Sequence, residues 1–348
     1  MIREVHLPRP DDWHLHLRDG QSLRAVLPFT AARFGRAIVM PNLKPPITTT
    51  QMALAYRDRI LAALPAGSQF LPLMTLYLTD HTRTDEIRRA RDEGAVHGCK
   101  LYPAGATTNS DAGVTDIARL DEVLAVMMEV DLPLLVHGEL TDPTLDVFDL
   151  EARFIDRVLA PIVERWPDLR VVFEHVTTRA AVDFVRTARS GVAATVTPQH
   201  LMFNRNALFA GGLRPHRYCL PLLKTESDRR SLLDAIASGN KRFFLGTDSA
   251  PHARAAKEAA CGCAGIFSAH AGIELYAEIF ESEGIIARLQ GFASEFGADF
   301  YQLPRNADHV VLLREPWIVP ESYPFDGTAL VPFKAGETIA WRLQVESP

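Results

Sequence analysis

Near the start of the chain, Asp12-Trp13-His14-Leu15-His16-Leu17-Arg18 sets two imidazoles two residues apart. On an extended strand alternate side chains share a face, so His14, His16 and Arg18 are expected on one side and Trp13, Leu15 and Leu17 on the other. Buried imidazoles need partners for their ring nitrogens, and a divalent metal would supply one. Taken alone, the pair leaves a solvated pair or a packed core pair equally open. Four more polar residues stand at the ends of apolar runs: Lys100 in Cys99-Lys100-Leu101, His137 in Val136-His137-Gly138-Glu139, His175 in Phe173-Glu174-His175 and Asp248 in Gly246-Thr247-Asp248-Ser249. Each by itself suits a hydrogen-bonded core residue. Four histidines, a lysine and an aspartate at five strand ends suit a metal centre. A protonated Lys100 would repel a cation. Burial lowers a lysine pKa, however, and a neutral amine can add carbon dioxide to give a carbamate able to bridge two metals about 3.5–4 Å apart.

The elements that must gather these residues follow from hydropathy. Candidate strands are Trp13–Leu17, Ala37–Met40, Phe70–Leu78, Val96–Tyr102, Leu132–Gly138, Val171–His175, Val192–Val196 and Arg242–Thr247. Helical periodicity fills most gaps, over Met52–Leu64, Thr84–Glu93, Thr115–Val130, Phe148–Trp166, Arg179–Arg189 and Asp228–Ser238. Eight such repeats predict an α/β fold, a closed (β/α)8 TIM barrel over roughly residues 10–300, with the strand C-termini at the mouth. An open doubly wound sheet is the alternative, but no GxGxxG follows the first strand. The Pro-rich tail, about 301–348, carries short strands at Val310–Leu313 and Thr338–Leu343 and is expected to pack on the barrel within one domain, 1–348. The 348 residues are 47% hydrophobic and 23% charged with a net charge of -6. That balance disfavours a nucleic-acid partner. No signal peptide or membrane span is evident, and the four cysteines suit reduced thiols, so a cytoplasmic protein is expected.

With Asp12-x-His14-x-His16, a fourth-strand lysine, two later strand-end histidines and a final aspartate, the chain resembles the amidohydrolase superfamily of metal-dependent hydrolases. Closer still, His14-Leu-His16-Leu-Arg18-Asp-Gly20, Met40-Pro41-Asn42, Gly98-Cys99-Lys100-Leu101-Tyr102-Pro103-Ala104-Gly105-Ala106-Thr107-Thr108-Asn109 and Gly246-Thr247-Asp248-Ser249-Ala250-Pro251-His252 resemble the dihydroorotase family in its short, single-domain bacterial type. The likeness runs from Pro8 into the tail.

The resemblance implies two Zn2+ per subunit. One would be held by His14, His16, N6-carboxylated Lys100 and Asp248, the other by Lys100, His137 and His175, with a bridging hydroxide. Asp248 would serve as general base and then acid in the reversible opening of L-dihydroorotate to N-carbamoyl-L-aspartate, a step of de novo pyrimidine (UMP) synthesis. Ring closure consumes a proton, so lower pH favours dihydroorotate. Substrate contacts are implied for His16, Arg18, Asn42, His137, Leu220, His252 and Ala264, and a homodimer is implied as the assembly.

Arg18, two residues past the histidine pair, could fork onto a substrate carboxylate or form a rim salt bridge with Asp19. Pro103–Gly113 has the composition of a flexible loop. Placed after the Lys100 strand it could also act as a lid, with Thr107 and Thr108 reaching the substrate. The same metal centre would serve a hydantoinase or allantoinase. Those relatives place a β-rich segment before the His-x-His pair, for which residues 1–13 leave no room. A metal-free scaffold relative or a binder of an acidic metabolite is disfavoured by the intact ligand set.

Overall fold

The computed structural model describes residues 2–344. Strand β1 (Glu4–Pro8) lies outside the barrel. The barrel strands are β2 (Asp12–Leu15), β3 (Arg36–Val39), β4 (Leu71–Tyr77), β5 (Val96–Leu101), β6 (Leu134–Val136), β7 (Val171–Phe173), β8 (Val192–Val196) and β9 (Phe243–Leu245), hydrogen-bonded in that order. Neighbours run parallel throughout. Closure of β9 onto β2 is short. Asp248 N donates to His14 O (2.8 Å) and His16 N to Ser249 O (2.9 Å). The carboxylate of Asp12 completes this seam, accepting from Thr247 N (2.9 Å) and Thr247 Oγ1 (2.5 Å). The result is the expected α/β (β/α)8 barrel.

Both faces of these strands are buried, which explains their apolar, β-branched runs. Outward residues such as Ala37, Val39, Leu134, Val136, Val171 and Phe243 join the large core beneath the helices. Inward residues Ile38, Leu73, Leu135, Val172, Ala193 and Phe244 form a separate interior cluster. On β5 the matching place is Gly98, where a Cβ would stand 3.1 Å from Leu135. The helix Phe296–Tyr301 closes the barrel at its N-terminal end, where Arg170, just ahead of β7, donates to Phe300 O (2.7 Å). Trp13 lies flat on Tyr301, with centroids 4.6 Å apart and planes at 8°. Gly297 leaves room for the indole, since a Cβ there would fall 2.0 Å from Trp13 Nε1.

Trp13 corrects the simple alternation. It belongs to the interior cluster, whereas Leu15 and Leu17 face the outer core. A register shift between Asp12 and Leu15 interrupts the two-residue period. The strands also stop sooner than hydropathy suggests: β6 ends at Val136, β7 at Phe173 and β9 at Leu245. His137, His175 and Asp248 therefore stand just past their strands.

The tail is woven in more deeply than a packed extension. Strand β10 (His309–Leu313) lies between β1 and the last strand, and a hairpin of Tyr323–Phe325 and Thr328–Leu330 returns toward the mouth. The single tail strand expected over Thr338–Leu343 divides into Thr338–Ile339, paired with Trp317–Ile318, and Arg342–Gln344, paired with β10. Helix Gly272–Ser282 causes the break. Its Glu278 accepts from Ala340 N (3.0 Å), and its Glu281 accepts from the indole N–H of buried Trp341 (3.0 Å). Among the described residues no helix is long and apolar enough to cross a membrane.

Candidate active site

Two residues above the apolar floor, the inward positions turn polar. Leu73 is followed by Thr75, Gly98 by Lys100, Leu135 by His137, Val172 by Glu174 and Ala193 by Thr195. Gly246 completes the row, because a Cβ there would press to 2.7 Å from Thr195 Cβ and 3.1 Å from His14 Cβ. Three further residues escape the alternation through left-handed backbone: Arg18 (φ 61°), His175 (φ 43°) and Asp248 (φ 46°). Side chains other than glycine seldom take that region, and such positions cluster at functional sites.

His14 Nε2 and His16 Nε2 lie 3.4 and 3.2 Å from Asp248 Oδ1. The His14 ring is 4.9 Å from His175, and His175 is 4.8 Å from His137, centroid to centroid. Each of three histidines is anchored through its other nitrogen. His14 Nδ1 bonds Glu174 (2.8 Å), His16 Nδ1 bonds Asn42 Oδ1 (2.8 Å) and His137 Nε2 bonds Glu139 (2.9 Å). An acceptor on one nitrogen leaves the other free as a lone pair, the arrangement a metal ligand needs. Burial, reinforced by Lys100, holds His14 well below the usual imidazole range. Burial and the neighbouring His137 do the same for His175. Both rings are therefore neutral. Burial works upward on Asp248, but the His16 hydrogen bond and the charges of His14, His16 and Lys100 outweigh it, and the net shift is downward.

Lys100 is wholly buried, its amine has no hydrogen-bond partner, and burial brings its pKa down to about 8. His175 Nδ1 is buried and likewise unpartnered. Ligand atoms of His14, His16 and Asp248 all fall within 4.8 Å of one another. This donor set fits a divalent metal: neutral imidazoles, an ionised carboxylate, and orphaned polar atoms for which the protein itself offers nothing.

Above the centre opens a cavity of about 550 Å³ lined by Arg18, Asn42, Thr108, His252 and, from the tail, Phe325. Arg18 does not pair with Asp19, whose carboxylate is taken by Arg59 (2.8 Å). Its guanidinium instead donates to Pro251 O (3.0 Å) and to His252 Nε2 (2.9 Å). Burial, with Arg18 adding to it, drives His252 down to about 2, so that ring is a neutral acceptor. Asn42 spends its carbonyl on His16 and its amide on Thr108 O (3.1 Å). The loop 103–113 makes hydrogen bonds within itself and to the rim. Asn109 donates to Asn42 O (3.0 Å), Ser110 Oγ is donor to Thr107 O (2.6 Å), and Thr108 Oγ1 reaches Ala264 O (3.4 Å). Leu220 and Ala264 are half-buried, and neither lines the cavity itself.

The model of the family described as "Amidohydrolase family" matches residues 12–307. Over 342 residues, 98% of this chain and 100% of the relative, the sequence is 63% identical to the dihydroorotase of Alkalilimnicola ehrlichii. The chain belongs to the amidohydrolase family, in its dihydroorotase branch. Among solved structures, the Campylobacter jejuni dihydroorotase is similar at TM-score 0.90 and 34% identity, covering 99% of this chain and 98% of that one. The Saccharomyces cerevisiae dihydroorotase, solved with 5-fluoroorotic acid, is similar at TM-score 0.91 and 32% identity over 100% of both chains.

Within this dihydroorotase-branch site, Glu174 and Glu139 hold ligands without having been assigned a role from the sequence, and Asp12, known only as part of the His-x-His motif, proves to be a seam residue. Glu174 accepts from His14 and from Thr195 Oγ1 (2.5 Å), Glu139 holds His137, and Asp12 closes the seam. A usable signal was present, since each carboxylate lies one or two residues from a strand-end histidine, and metal-binding histidines commonly lean on a carboxylate.

Proposed function

We propose that the chain is a zinc-dependent dihydroorotase, interconverting L-dihydroorotate and N-carbamoyl-L-aspartate in the de novo route to UMP, in the cytoplasm and as a homodimer. The observation that carries the reading is the cluster of His14, His16 and Asp248 ligand atoms, with the His175 and His137 rings packed edge-on in turn from His14 and a buried, unpartnered Lys100 amine in the same interior. It is joined by the 63% identity to a dihydroorotase.

His14, His16, Asp248 and a carboxylated Lys100 would hold one zinc, and Lys100, His137 and His175 the second. Zinc held by these residues would supply an acidified water and a Lewis acid for the ring carbonyl. Lys100, drawn down to about 8, offers a neutral amine that adds carbon dioxide and releases a proton as the carbamate forms. Asp248, kept ionised, takes the proton of the attacking water and returns it to the ring nitrogen as the C–N bond breaks. Arg18, with Nε fixed on Pro251 O, forks onto the substrate carboxylate beside Asn42 and neutral His252. Leu220 and Ala264 add backbone contacts. The loop 103–113 covers the substrate with Thr107 and Thr108 and keeps bulk water out.

The test supplies the purified chain with zinc and bicarbonate and follows dihydroorotate by ultraviolet absorbance. Ring opening that disappears on chelation and returns with zinc is the expected result. Opening of hydantoins but not of dihydroorotate would reassign the substrate. Absence of both turnover and bound metal would reduce the chain to a scaffold relative.

A further inference from the structure

Lys257 ends the short helix Arg254–Lys257 and is buried, at 5% exposure. Among the described residues no carboxylate lies within salt-bridge distance of it. Its ammonium instead donates to three backbone carbonyls: Tyr218 O (2.7 Å), Cys263 O (2.9 Å) and Gly265 O (2.7 Å). An ammonium has three N–H groups, and all three are spent here. Two of the carbonyls flank Ala264, and the third lies two residues before Leu220. Gly265 N also donates to Tyr218 O (3.0 Å), so one lysine spans the point where the two segments meet.

The neighbourhood is tight. At Gly265 (φ 142°) a Cβ would fall 2.7 Å from Ala250 O and 2.9 Å from His252 Cδ2. The segment 263–265 is thus wedged between the residues after β9 and the 218–221 turn, and Ala264 O is left toward Thr108. Burying a cation without an acid is unfavourable, and burial pulls Lys257 down to about 8. An apolar side chain in its place would strand the Cys263 and Gly265 carbonyls and leave Tyr218 O with only its bond from Gly265 N.

We infer that Lys257 is a positioning residue for the substrate: it clamps segments 218–220 and 263–265 together so that the backbone of Leu220 and Ala264 faces the bound ring. The inference rests on the substrate reading given above. Lys257 touches neither the proposed ligands nor Asp248, so its effect falls on binding rather than on chemistry.

The experiment measures kcat and KM for dihydroorotate, bound zinc and Tm for the wild type, Lys257→Met and Lys257→Gln. Methionine removes all three donors and should raise KM about tenfold with kcat within about threefold and zinc unchanged. Glutamine keeps two donors and should fall between wild type and methionine; it carries the test if the methionine variant does not fold. Folded, zinc-loaded variants with KM within about twofold of wild type, or with kcat lost at unchanged KM, overturn the positioning role. A wild type that leaves dihydroorotate intact overturns the substrate reading, and the positioning role with it.

Discussion

The barrel interior holds two layers that obey opposite rules. On the floor, Trp13, Ile38, Leu73, Leu135, Val172, Ala193 and Phe244 interlock with the helix Phe296–Tyr301 in an almost wholly apolar layer, where the Tyr301 hydroxyl is buried without a partner. One step higher, Lys100, His175, Glu174 and Glu139 each keep a buried polar atom without a protein partner, and Arg18, His175 and Asp248 adopt backbone that L-residues avoid. The floor is arranged for stability. The mouth keeps desolvated groups that the protein itself leaves unpaired, as a site built for a bound metal and substrate would, at a cost the floor offsets. Substitutions in the two layers should therefore fail in different ways.

The sharpest break is Lys100→Met, which keeps volume and deletes the amine. Activity on dihydroorotate should fall by about 10⁴-fold or more, equivalent to about 5.5 kcal/mol. Stability of the metal-free chain should hold or rise by about 1 kcal/mol, because a buried amine with no partner is gone. Steady-state kinetics and urea unfolding of the metal-free protein check both halves, and a large loss of metal-free stability would erase the distinction between the layers.

Trp13→Ala, one layer down, should do the reverse. Losing a buried indole stacked on Tyr301 costs about 3–5 kcal/mol of folding stability. The fraction that remains folded and zinc-loaded should turn over within about tenfold of wild type, because the indole contacts none of the proposed ligands. Urea midpoints and zinc-normalised kcat separate the two effects. A normal midpoint with lost kcat would place Trp13 in the mouth's category.

The same division decides what sequence could reveal. The walls are apolar on both faces, so the eight strands stood out as apolar runs, and the helix Thr84–Glu93 by its periodicity, from hydropathy alone. The types of the mouth residues were legible too, because polar residues at the ends of apolar runs stand out. Their geometry was not. Period-two reasoning put Arg18 inward by counting from His16, whereas β2 ends at Leu15 and Arg18 is set by its own left-handed turn. It put Trp13 with Leu15, and the register shift after Asp12 separates them. Pairing across the seam, such as Asp12 with Thr247, joins residues far apart in the chain, and no local pattern encodes it. Strand β1 was missed for the same reason, since its partner β10 lies at the other end of the chain.

A finer distinction within the mouth concerns Glu174, which touches no proposed substrate position but fixes the tautomer of His14. Glu174→Ala should weaken zinc at the His14 site by about 10–100-fold, the range for residues that orient metal ligands. Metal titration with a chromophoric chelator reads this directly. Restoring activity with excess zinc is the matching kinetic signature, and a kcat loss that zinc cannot rescue would make Glu174 part of the chemistry instead.

The smallest effect belongs to a carboxylate outside both layers. Glu226 opens the helix Glu226–Ala237, where Arg229 and Asn204 hydrogen-bond it and draw its pKa down from 4.5 to about 2. A depressed carboxylate pKa means the unfolded chain binds the proton more tightly. The contribution is therefore fully present above pH 4.5 and is lost as pH falls from there toward 2. Taken literally the shift would be large, but the side chain is 48% exposed and solvent screens the pairs, so under about 1 kcal/mol remains. Glu226→Gln should lower the urea midpoint slightly at pH 7, with kcat/KM unchanged. The difference from wild type should shrink through pH 4 and vanish near the depressed pKa. A difference that instead widened on acidification would require Glu226 to favour its protonated form when folded, as a buried carboxylate does, and would remove the line between surface and interior acids on which the comparison depends.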